Sequence, residues 1–391
     1  MTQEDIRSRV FEKKEDLIKI YHEFHQIPEL GFEEKKTTDL ICKILSEMGI
    51  VPLRLDPTGV AAYIGPEDGY TIGLRADIDG LPVTEETGIS YCSIHAGKMH
   101  ACGHDGHIAG LLGAAVLLKE MEEELTVRVK MIFQPSEENT KGARHLISRG
   151  IIEDVDEIFG LHLFSDIETG HISVEAGPRM AQTDRFCIRF SGKGGHAAKP
   201  HQCVDATVMA AEFVMSIQTI VAREIDPVEG AVVTIGSLHS GTQYNVISDR
   251  AVLEGTCRSY SEGTASRIQS ALRRRAQGMA DSYGGMAEIA YEQGSHPPVV
   301  NDVPMAERIR EQAEIFLPER DFGHIAPLML GEDFSWYQRK IPGVFAFVGC
   351  GKPGQASYPN HHPKFRIDEE ALTDTVFLHL SAVFSAMRKY G

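Results

Sequence analysis

The spacing of apolar side chains divides the chain into alternating helices and strands. Apolar residues recur at helical intervals over residues 4–26 and 37–48, and short apolar runs bounded by glycine and proline indicate strands at 60–64 and 71–75. The same pattern continues with strands at 127–133, 157–163 and 343–349 and with helices at 303–316 and 369–388. This alternation predicts an α/β fold with a mixed, mostly parallel sheet flanked by helices.

The pattern changes in the middle of the chain. There the order becomes strand, helix, strand, strand, helix, strand, over residues 183–190, 205–222, 231–238, 250–258, 261–283 and 287–292. This is the order of a ferredoxin-like β-α-β-β-α-β unit. We therefore predict that residues 182–295 form a small domain inserted into a larger one, which is built from residues 1–181 and 296–391.

Composition then narrows the class of protein. The chain has 391 residues, enough for two domains, and a net charge of −17, which argues against a nucleic-acid partner. Seven irregularly spaced cysteines favour a reducing, cytoplasmic location. The longest apolar run, residues 108–118, is too short to span a membrane, and the first residues carry no signal pattern, so no membrane partner is expected.

Residues 99–107 concentrate the side chains that bind transition metals. Cys102 and His104 offer a thiolate and an imidazole within reach of one ion, and Asp105 could orient an imidazole from behind. The alternative is a buried thiol beside histidines on a polar turn. The glycine-rich turn before an apolar helix, together with later His and Glu candidates at strand ends, favours metal binding.

Those later candidates follow buried strands. Glu137 and Glu138 come after the strand at 127–133, where one carboxylate can bind a metal while the other acts as a general base. The alternative is an acidic pair that caps the next helix. Asp77 and His162 end two further strands, and His361 lies in a proline-flanked loop next to a second histidine. Together these residues indicate a metal-dependent hydrolase.

Five segments carry a family resemblance: HACGHDGH at 100–107, FQPSEE at 133–138, GLH at 160–162, GKGGHAAKP at 192–200 and HHPKF at 361–365. In this order they resemble the aminoacylase and carboxypeptidase clan of dinuclear metallohydrolases. The closer match is its amidohydrolase branch of hippurate hydrolases, auxin-conjugate hydrolases and N-acyl-amino-acid deacylases. The resemblance implies a metallopeptidase-like catalytic domain and an inserted lid that also forms a homodimer.

The resemblance also implies two divalent metal ions per chain, zinc or manganese, with cobalt or nickel as further candidates. Their ligands would be Cys102, His104, Glu138, His162 and His361. Peptidase relatives carry His-x-Asp where this chain has Arg75-Ala76-Asp77, so their metal-bound histidine is absent. Cys102 stands in place of their bridging aspartate.

Further roles follow from the same resemblance. Glu137 would be the general base, with Asp77 beside it in the catalytic group, and His196 of the lid would reach the partner subunit's site and donate to the developing oxyanion. Asn245 and Arg258 would bind the carboxylate of the substrate, for which arginine offers a planar fork.

The predicted function is hydrolysis of the amide bond of an N-acyl amino acid or a related small conjugate, which releases the amino acid and a carboxylic acid. A dipeptidase or carboxypeptidase that uses the same site is the main alternative. A binding protein with a structural metal and a thiol hydrolase that uses Cys102 are less consistent with an intact general base beside five ligands.

Overall fold

The computed structural model describes residues 2–294 and 296–391, which form two compact units. Residues 1 and 295, which limit two predicted domain ranges, lie outside the described residues. Segment 327–332 belongs to unit 2, although the sequence pattern predicts it in the larger domain. Unit 1 comprises Met1–Gly177, Val300–Ala326 and Asp333–Gly391, and unit 2 comprises Pro178–Val299 and Pro327–Glu332.

The described residues contain ten α-helices and fifteen strands. The helices are α1 (Gln3–Glu12), α2 (Lys14–His25), α3 (Lys35–Glu47), α4 (His104–Glu120), α5 (Gly142–Ser148), α6 (Ala206–Glu224), α7 (Glu262–Tyr283), α8 (Val303–Phe316), α9 (Ser335–Gln338) and α10 (Ala371–Tyr390). The strands are β1 (Leu53–Arg54), β2 (Val60–Ile64), β3 (Thr71–Asp77), β4 (Arg128–Gln134), β5 (Glu157–Glu168), β6 (Ile172–Ser173), β7 (Gly177–Met180), β8 (Gln182–Ser191), β9 (Gly195–His196), β10 (Ala231–Ser240), β11 (Val246–Ile247), β12 (Arg250–Ser259), β13 (Met286–Glu292), β14 (Val299–Asn301) and β15 (Gly343–Gly351).

Unit 1 is built around a seven-stranded sheet in the order β1-β2-β4-β3-β5-β15-β6. The four central strands β4, β3, β5 and β15 run parallel, and antiparallel strands close both edges. Residues of β3 and β15 are buried throughout, as expected for parallel strands with both faces covered. The predicted α/β fold with a mostly parallel sheet flanked by helices is confirmed.

Helix α4 fixes the position of the Cys102–His104 segment. It begins at His104, directly after Gly103, whose φ of +88° turns the chain into the helix without the steric cost that a side chain would bring. The helix is buried on nearly all sides and packs against α10. At Gly110 a Cβ atom would lie 2.1 Å from Thr375 Oγ1, so this close approach requires glycine.

Unit 2 contains a four-stranded antiparallel sheet in the order β10-β12-β8-β13. This is the strand order of the predicted ferredoxin-like unit, with α6 and α7 as its two helices. Phe186, Phe190 and Phe213 lie in the apolar core between the sheet and these helices. A short pair of strands, β9 and β11, carries the segment around His196.

Two local expectations differ from the structure. The apolar pattern over residues 4–26 forms two helices, not one, because the helical path is interrupted at Lys13. The strand predicted at 157–163 continues to Glu168. Among the described residues, α6 is the one helix that is long and apolar enough to cross a bilayer by length and composition. That is weak evidence for a membrane span, since helices packed in a protein core meet the same criterion.

Candidate active site

The site of unit 1 forms at the carboxyl ends of its parallel strands, where α/β sheets usually bind ligands. Asp77 ends β3 and lies level with Gln134, which ends β4. On the other side of β3, Arg75 pairs with Gly160 of β5, so His162 follows two residues further along that strand. The alignment of the strands brings residues distant in sequence to one edge.

The five predicted metal ligands come together around the Cys102 thiol. Its Sγ lies 3.4 Å from His162 Nε2 and 3.3 Å from His361 Nε2. Two groups of donor atoms, each within 4.8 Å of one another, share this sulfur. One group is Cys102, His104 and His162, and the other is Cys102, Glu138 and His361.

The orientation of the ligands suits two metal ions. His104 donates from Nδ1 to the Asp79 carbonyl at 2.8 Å, and His162 donates from Nδ1 to the Leu163 carbonyl at 2.9 Å. In its neutral form each imidazole would therefore present Nε2 to a metal, the usual arrangement for ligating histidines. Within the described part of the chain, His104 Nε2 and Glu138 Oε1 are buried with no hydrogen-bond partner. Polar atoms that lie near them are His361 Nε2, 3.3 Å from Glu138 Oε1, and Asp77 Oδ2, 3.8 Å from His104 Nε2. These two buried metal-donor atoms without hydrogen bonds fit cations that the two donor groups would hold.

Two buried carboxylates hold the turn that carries Glu137 and Glu138. Asp79 accepts the backbone N–H of Glu137 at 3.0 Å through Oδ1 and that of Glu138 at 3.1 Å through Oδ2. Glu34 accepts the preceding N–H, that of Ser136, at 2.9 Å. Ser136 has a φ of +61°, a conformation that costs roughly 1–3 kcal/mol for such a residue. The turn is therefore fixed by its hydrogen bonds, and it places the carboxylates of Glu137 and Glu138 in one donor group with His104.

Arg75 connects two carboxylates under the site. Its guanidinium donates to Asp77 at 2.6 Å and to Asp333 at 3.1 Å, and all three side chains are fully buried. Gln134 joins the same network by donating to Asp333 at 2.8 Å and accepting from Arg75 Nε at 3.0 Å. Arg75 is thus an ion-pair partner of Asp77 and lies outside both donor groups that contain Cys102.

Asp77, which is paired with Arg75, also interacts with two histidines, His107 and His104. His107 accepts the Leu163 N–H at Nε2 and therefore donates from Nδ1 to Asp77 at 2.6 Å. Burial opposes ionisation of Asp77, but the nearby His104 and Arg75 charges hold its pKa well below its ordinary value. Conversely, the Asp77 carboxylate outweighs burial at His104 and raises the pKa of that imidazole. Asp77 is therefore a buried anion beside His107 and the predicted ligand His104.

Burial shifts two of the predicted ligands, Cys102 and His162, toward their neutral forms in the metal-free chain. It raises the pKa of the Cys102 thiol well above its ordinary value, with a smaller contribution from the Glu138 charge. It lowers the pKa of His162, which the neighbouring His107 lowers further. A neutral His162 is ready to bind a metal, whereas Cys102 must lose its proton, so metal binding at this site releases a proton.

The expected role of Asp105 is corrected by the structure. Its carboxylate pairs with His25 Nδ1 at 2.6 Å, not with a predicted ligand imidazole. His25 also approaches Glu85 at 3.3 Å, and these two carboxylates outweigh its burial and raise its pKa to about 9. This buried ion pair connects α2 to the first turn of α4, and so supports the Cys102–His104 segment indirectly.

The three predicted residues of unit 2 are arranged around its short strand pair and β12. His196 in β9 pairs with Val246, and the Asn245 carbonyl accepts the Ala197 N–H at 3.1 Å, so His196 and Asn245 are neighbours. His196 accepts the Ala198 N–H at Nδ1, which leaves Nε2–H as a donor on an exposed side chain. Arg258 lies in β12, half-buried, and donates to the Cys257 carbonyl at 3.1 Å.

Sequence reasoning missed several residues that support the site. Glu34, His25 and Asp333 all contact it from distant parts of the chain, at positions that no local motif marks. Asn360 directly precedes the HHPKF segment at 361–365, but that segment does not indicate its contacts. A buried carboxylate in a polar loop gives no signal in a single sequence until its partner is known.

Residues 73–383 match the peptidase family M20/M25/M40. The chain belongs to this family. It is therefore a metal-dependent hydrolase of amide bonds. The M20 chain is 39% identical over 378 residues to the N-acetyl-L-cysteine deacetylase of Bacillus subtilis, an alignment that covers 94% of this chain and 88% of the relative.

Two further comparisons agree. The N-acetyldiaminopimelate deacetylase of Streptococcus gordonii is 40% identical over 367 residues, covering 91% of this M20 chain and 95% of the relative. The crystal structure of the Bacillus subtilis YXEP protein, described as a dinuclear metal-binding peptidase from the M20 family, superposes with a TM-score of 0.84 at 36% identity and covers 96% of this chain and 98% of that one. Two donor groups that share Cys102 fit such a dinuclear site.

Proposed function

We propose that the protein hydrolyses the amide bond of an N-acetyl amino acid or a closely related small N-acyl conjugate, releasing the free amino acid and a carboxylic acid. The observation that carries this proposal is the pair of donor groups that share Cys102, with Glu137 buried beside them. Two relatives, which are 39% and 40% identical to this chain, are named as deacetylases of acetylated amino acids.

In the proposed reaction the ions, when bound, supply Lewis acidity that activates water and polarises the amide carbonyl. Glu137 is the general base, because it belongs to a donor group with His104 and Glu138 while Asp79 fixes its backbone. Its carboxylate takes a proton from the attacking water and then delivers it to the leaving nitrogen. Asp77 keeps His107 and the His104 region in place through its buried charge.

Residues of unit 2 would recognise the substrate. His196 presents Nε2–H as a donor, which suits a developing oxyanion. Arg258 uses Nη1 for its contacts with Thr256 and Cys257, and its Nε and Nη2 groups have no hydrogen bond among the described residues. These two parallel donors match the geometry of a carboxylate, and the Asn245 amide would complete its recognition.

We further propose a homodimer that forms through unit 2, in which His196 serves the partner's site. Within the described residues β10 pairs with β12 alone, so its other edge is open. Val232 and Leu238 on this strand are exposed, and Met215 on α6 is 71% exposed. An open edge strand beside apolar side chains is a common site of pairing between chains.

The metal and the compartment are also proposals. A thiolate at the shared position favours zinc, whereas manganese prefers oxygen ligands, so zinc is the first candidate and manganese the second. All seven cysteines are unpaired, and a bridging thiolate requires a reduced Cys102, which together support a cytoplasmic location.

The test measures bound metal by mass spectrometry and turnover of N-acetyl amino acids and matched dipeptides before and after chelation. We expect about two metals per chain, preference for the acetylated substrates, and loss of activity that zinc or manganese restores. Preference for dipeptides would favour a peptidase that uses the same site. Activity that survives complete metal removal would contradict the proposal and implicate Cys102 as a nucleophile.

A further inference from the structure

One asparagine contacts the three segments that carry Cys102, His162 and His361. Asn360 donates from Nδ2 to the Cys102 carbonyl and to the Leu163 carbonyl, each at 3.1 Å. Its Oδ1 accepts the Ser165 N–H at 3.4 Å. The residue itself directly precedes His361. A single side chain therefore joins the turn before α4, the end of β5 and the loop after β15.

His361 is the predicted ligand that depends most on such support. Its side chain is 55% exposed, while those of His104 and Glu138 are 0% and 14% exposed. His361 also has a φ of +71°, which side chains other than glycine rarely adopt. Its backbone N–H donates to the Ala101 carbonyl at 2.7 Å, next to the carbonyl that Asn360 contacts. Two adjacent residues of the loop are thus fixed to two adjacent carbonyls of the Cys102 segment.

We propose that Asn360 is a positioning residue that holds His361 against Cys102 and thereby sets the affinity of one of the two metal ions. The inference rests on the proposed dinuclear function. Asn360 belongs to neither donor group, so it acts through His361 and through the loop backbone. Asn360 Nδ2 also lies 3.9 Å from Cys102 Sγ, but Cys102 is buried in the turn that leads directly into helix α4. His104 begins that buried helix and His162 lies within the central sheet, so His361 is the predicted ligand that depends on Asn360.

This arrangement predicts an unequal effect on the two ions. His361 belongs to the group with Cys102 and Glu138, and not to the group with Cys102 and His104. Loss of the Asn360 hydrogen bonds should therefore lower the affinity of the chain for one ion by roughly 10–100-fold, the usual effect of removing a residue that supports a metal ligand. The second ion should keep its affinity within about threefold.

The experiment compares zinc-loaded full-length wild type with Asn360→Leu, a substitution that keeps the size of the side chain and removes its donors. Zinc release to a chromogenic chelator is followed in time and as a function of chelator concentration. The matched control is His362→Gln in the same loop, because His362 stacks on Tyr358 at 4.5 Å between ring centroids and lies in neither donor group. His361→Ala shows complete loss of the ligand.

We expect one zinc of Asn360→Leu to be released as in His361→Ala, with the other unchanged and both retained in His362→Gln. Equal weakening of both ions, or no weakening, would overturn the proposal. Amide hydrogen exchange of His361 in metal-free protein is the second readout, and we expect at least tenfold faster exchange in Asn360→Leu. Unchanged exchange contradicts the positioning role even if the wild type were to bind no metal, an outcome that would refute the proposed function separately.

Discussion

The two units bury their polar residues in opposite ways. In unit 1, β3 is buried along its whole length, and the charged residues Arg75 and Asp77 lie inside it as a hydrogen-bonded pair. In unit 2, β13 alternates between exposed and half-buried positions, and its sheet is covered by helices on one face. His196, proposed to act in catalysis, is exposed. Substitutions at the buried site residues of unit 1 should therefore change both activity and folding stability. A substitution at exposed His196 in unit 2 should change activity alone.

The largest effect is expected from Glu137→Gln in unit 1. The amide keeps the size of the carboxylate and the backbone hydrogen bond to Asp79, but it cannot take a proton from water. We expect kcat to fall by roughly 10²–10⁴-fold while two metals remain bound. Steady-state kinetics with metal analysis on the same sample measures this. Near-normal turnover with full metal content would show that Glu137 is not the base.

The next largest effect is expected from His196→Ala in unit 2, which should lower activity without lowering stability. His196→Ala removes an exposed donor, so we expect kcat to fall by about 10²–10³-fold with no change in thermal stability. If His196 serves the partner's site, mixing this variant with Glu137→Gln creates one intact site in each mixed dimer. An equal mixture that exchanges subunits should then regain about a quarter of wild-type activity.

Two controls decide how that result is interpreted. Each variant mixed with itself must stay inactive, and analytical ultracentrifugation must show that the mixture is dimeric. A dimer that regains no activity on mixing would place His196 in the site of its own chain. A fully active monomeric wild type would rule out the proposed role of the partner subunit altogether.

The contrast between the units also explains what the sequence could predict. The alternating pattern of unit 2 and the long apolar runs of unit 1 each indicate their own elements, and α8 is predicted with the bounds that the structure shows. The five predicted ligands come from motifs in the sequence and from the family resemblance that these motifs carry. Their division into two groups that share Cys102 depends on how the strands and loops meet in space.

The supporting residues of unit 1 could not be predicted in this way. Glu34 lies 102 residues from Ser136, and Asn360 lies 258 residues from Cys102. Each of these contacts is created by the tertiary fold, and neither side chain differs in type from many exposed polar residues. Motifs identify the groups that do chemistry, whereas the residues that hold them become visible only when their buried partners are located.

A smaller effect concerns Glu34, the buried carboxyl group that holds the turn before Glu137. It tests whether burial of this group lowers the free energy of unfolding of the protein at neutral pH. Burial raises the pKa of Glu34 from 4.5 to about 7, so the folded state binds one more proton than the unfolded state between these pH values. Wild-type stability should therefore fall as pH rises through this window, by up to roughly 3 kcal/mol. In Glu34→Gln the amide can still accept from Ser136 and can donate to the Thr58 hydroxyl, which it also contacts.

The measurement is the difference in unfolding free energy between Glu34→Gln and wild type from pH 4.5 to 8. We expect a difference near zero at pH 4.5 that grows until about pH 7 in favour of the variant. Glu33→Gln is the matched control, because it makes the same charge change at a side chain that is 63% exposed. Its effect should stay within about 0.5 kcal/mol at every pH. Parallel curves for Glu34→Gln and wild type would contradict the assignment.

The smallest effect concerns substrate recognition in unit 2. Arg258→Lys keeps the positive charge but removes the planar fork, so a substrate carboxylate would lose one of two parallel hydrogen bonds. We expect KM to rise by about tenfold with kcat and thermal stability almost unchanged. Arg185→Lys is the control, since Arg185 lies on the adjacent strand, is 65% exposed and pairs with Glu254. A rise in KM only for substrates with a free carboxylate would separate recognition in unit 2 from chemistry in unit 1, whereas an equal rise for their amides would exclude Arg258 as the carboxylate partner.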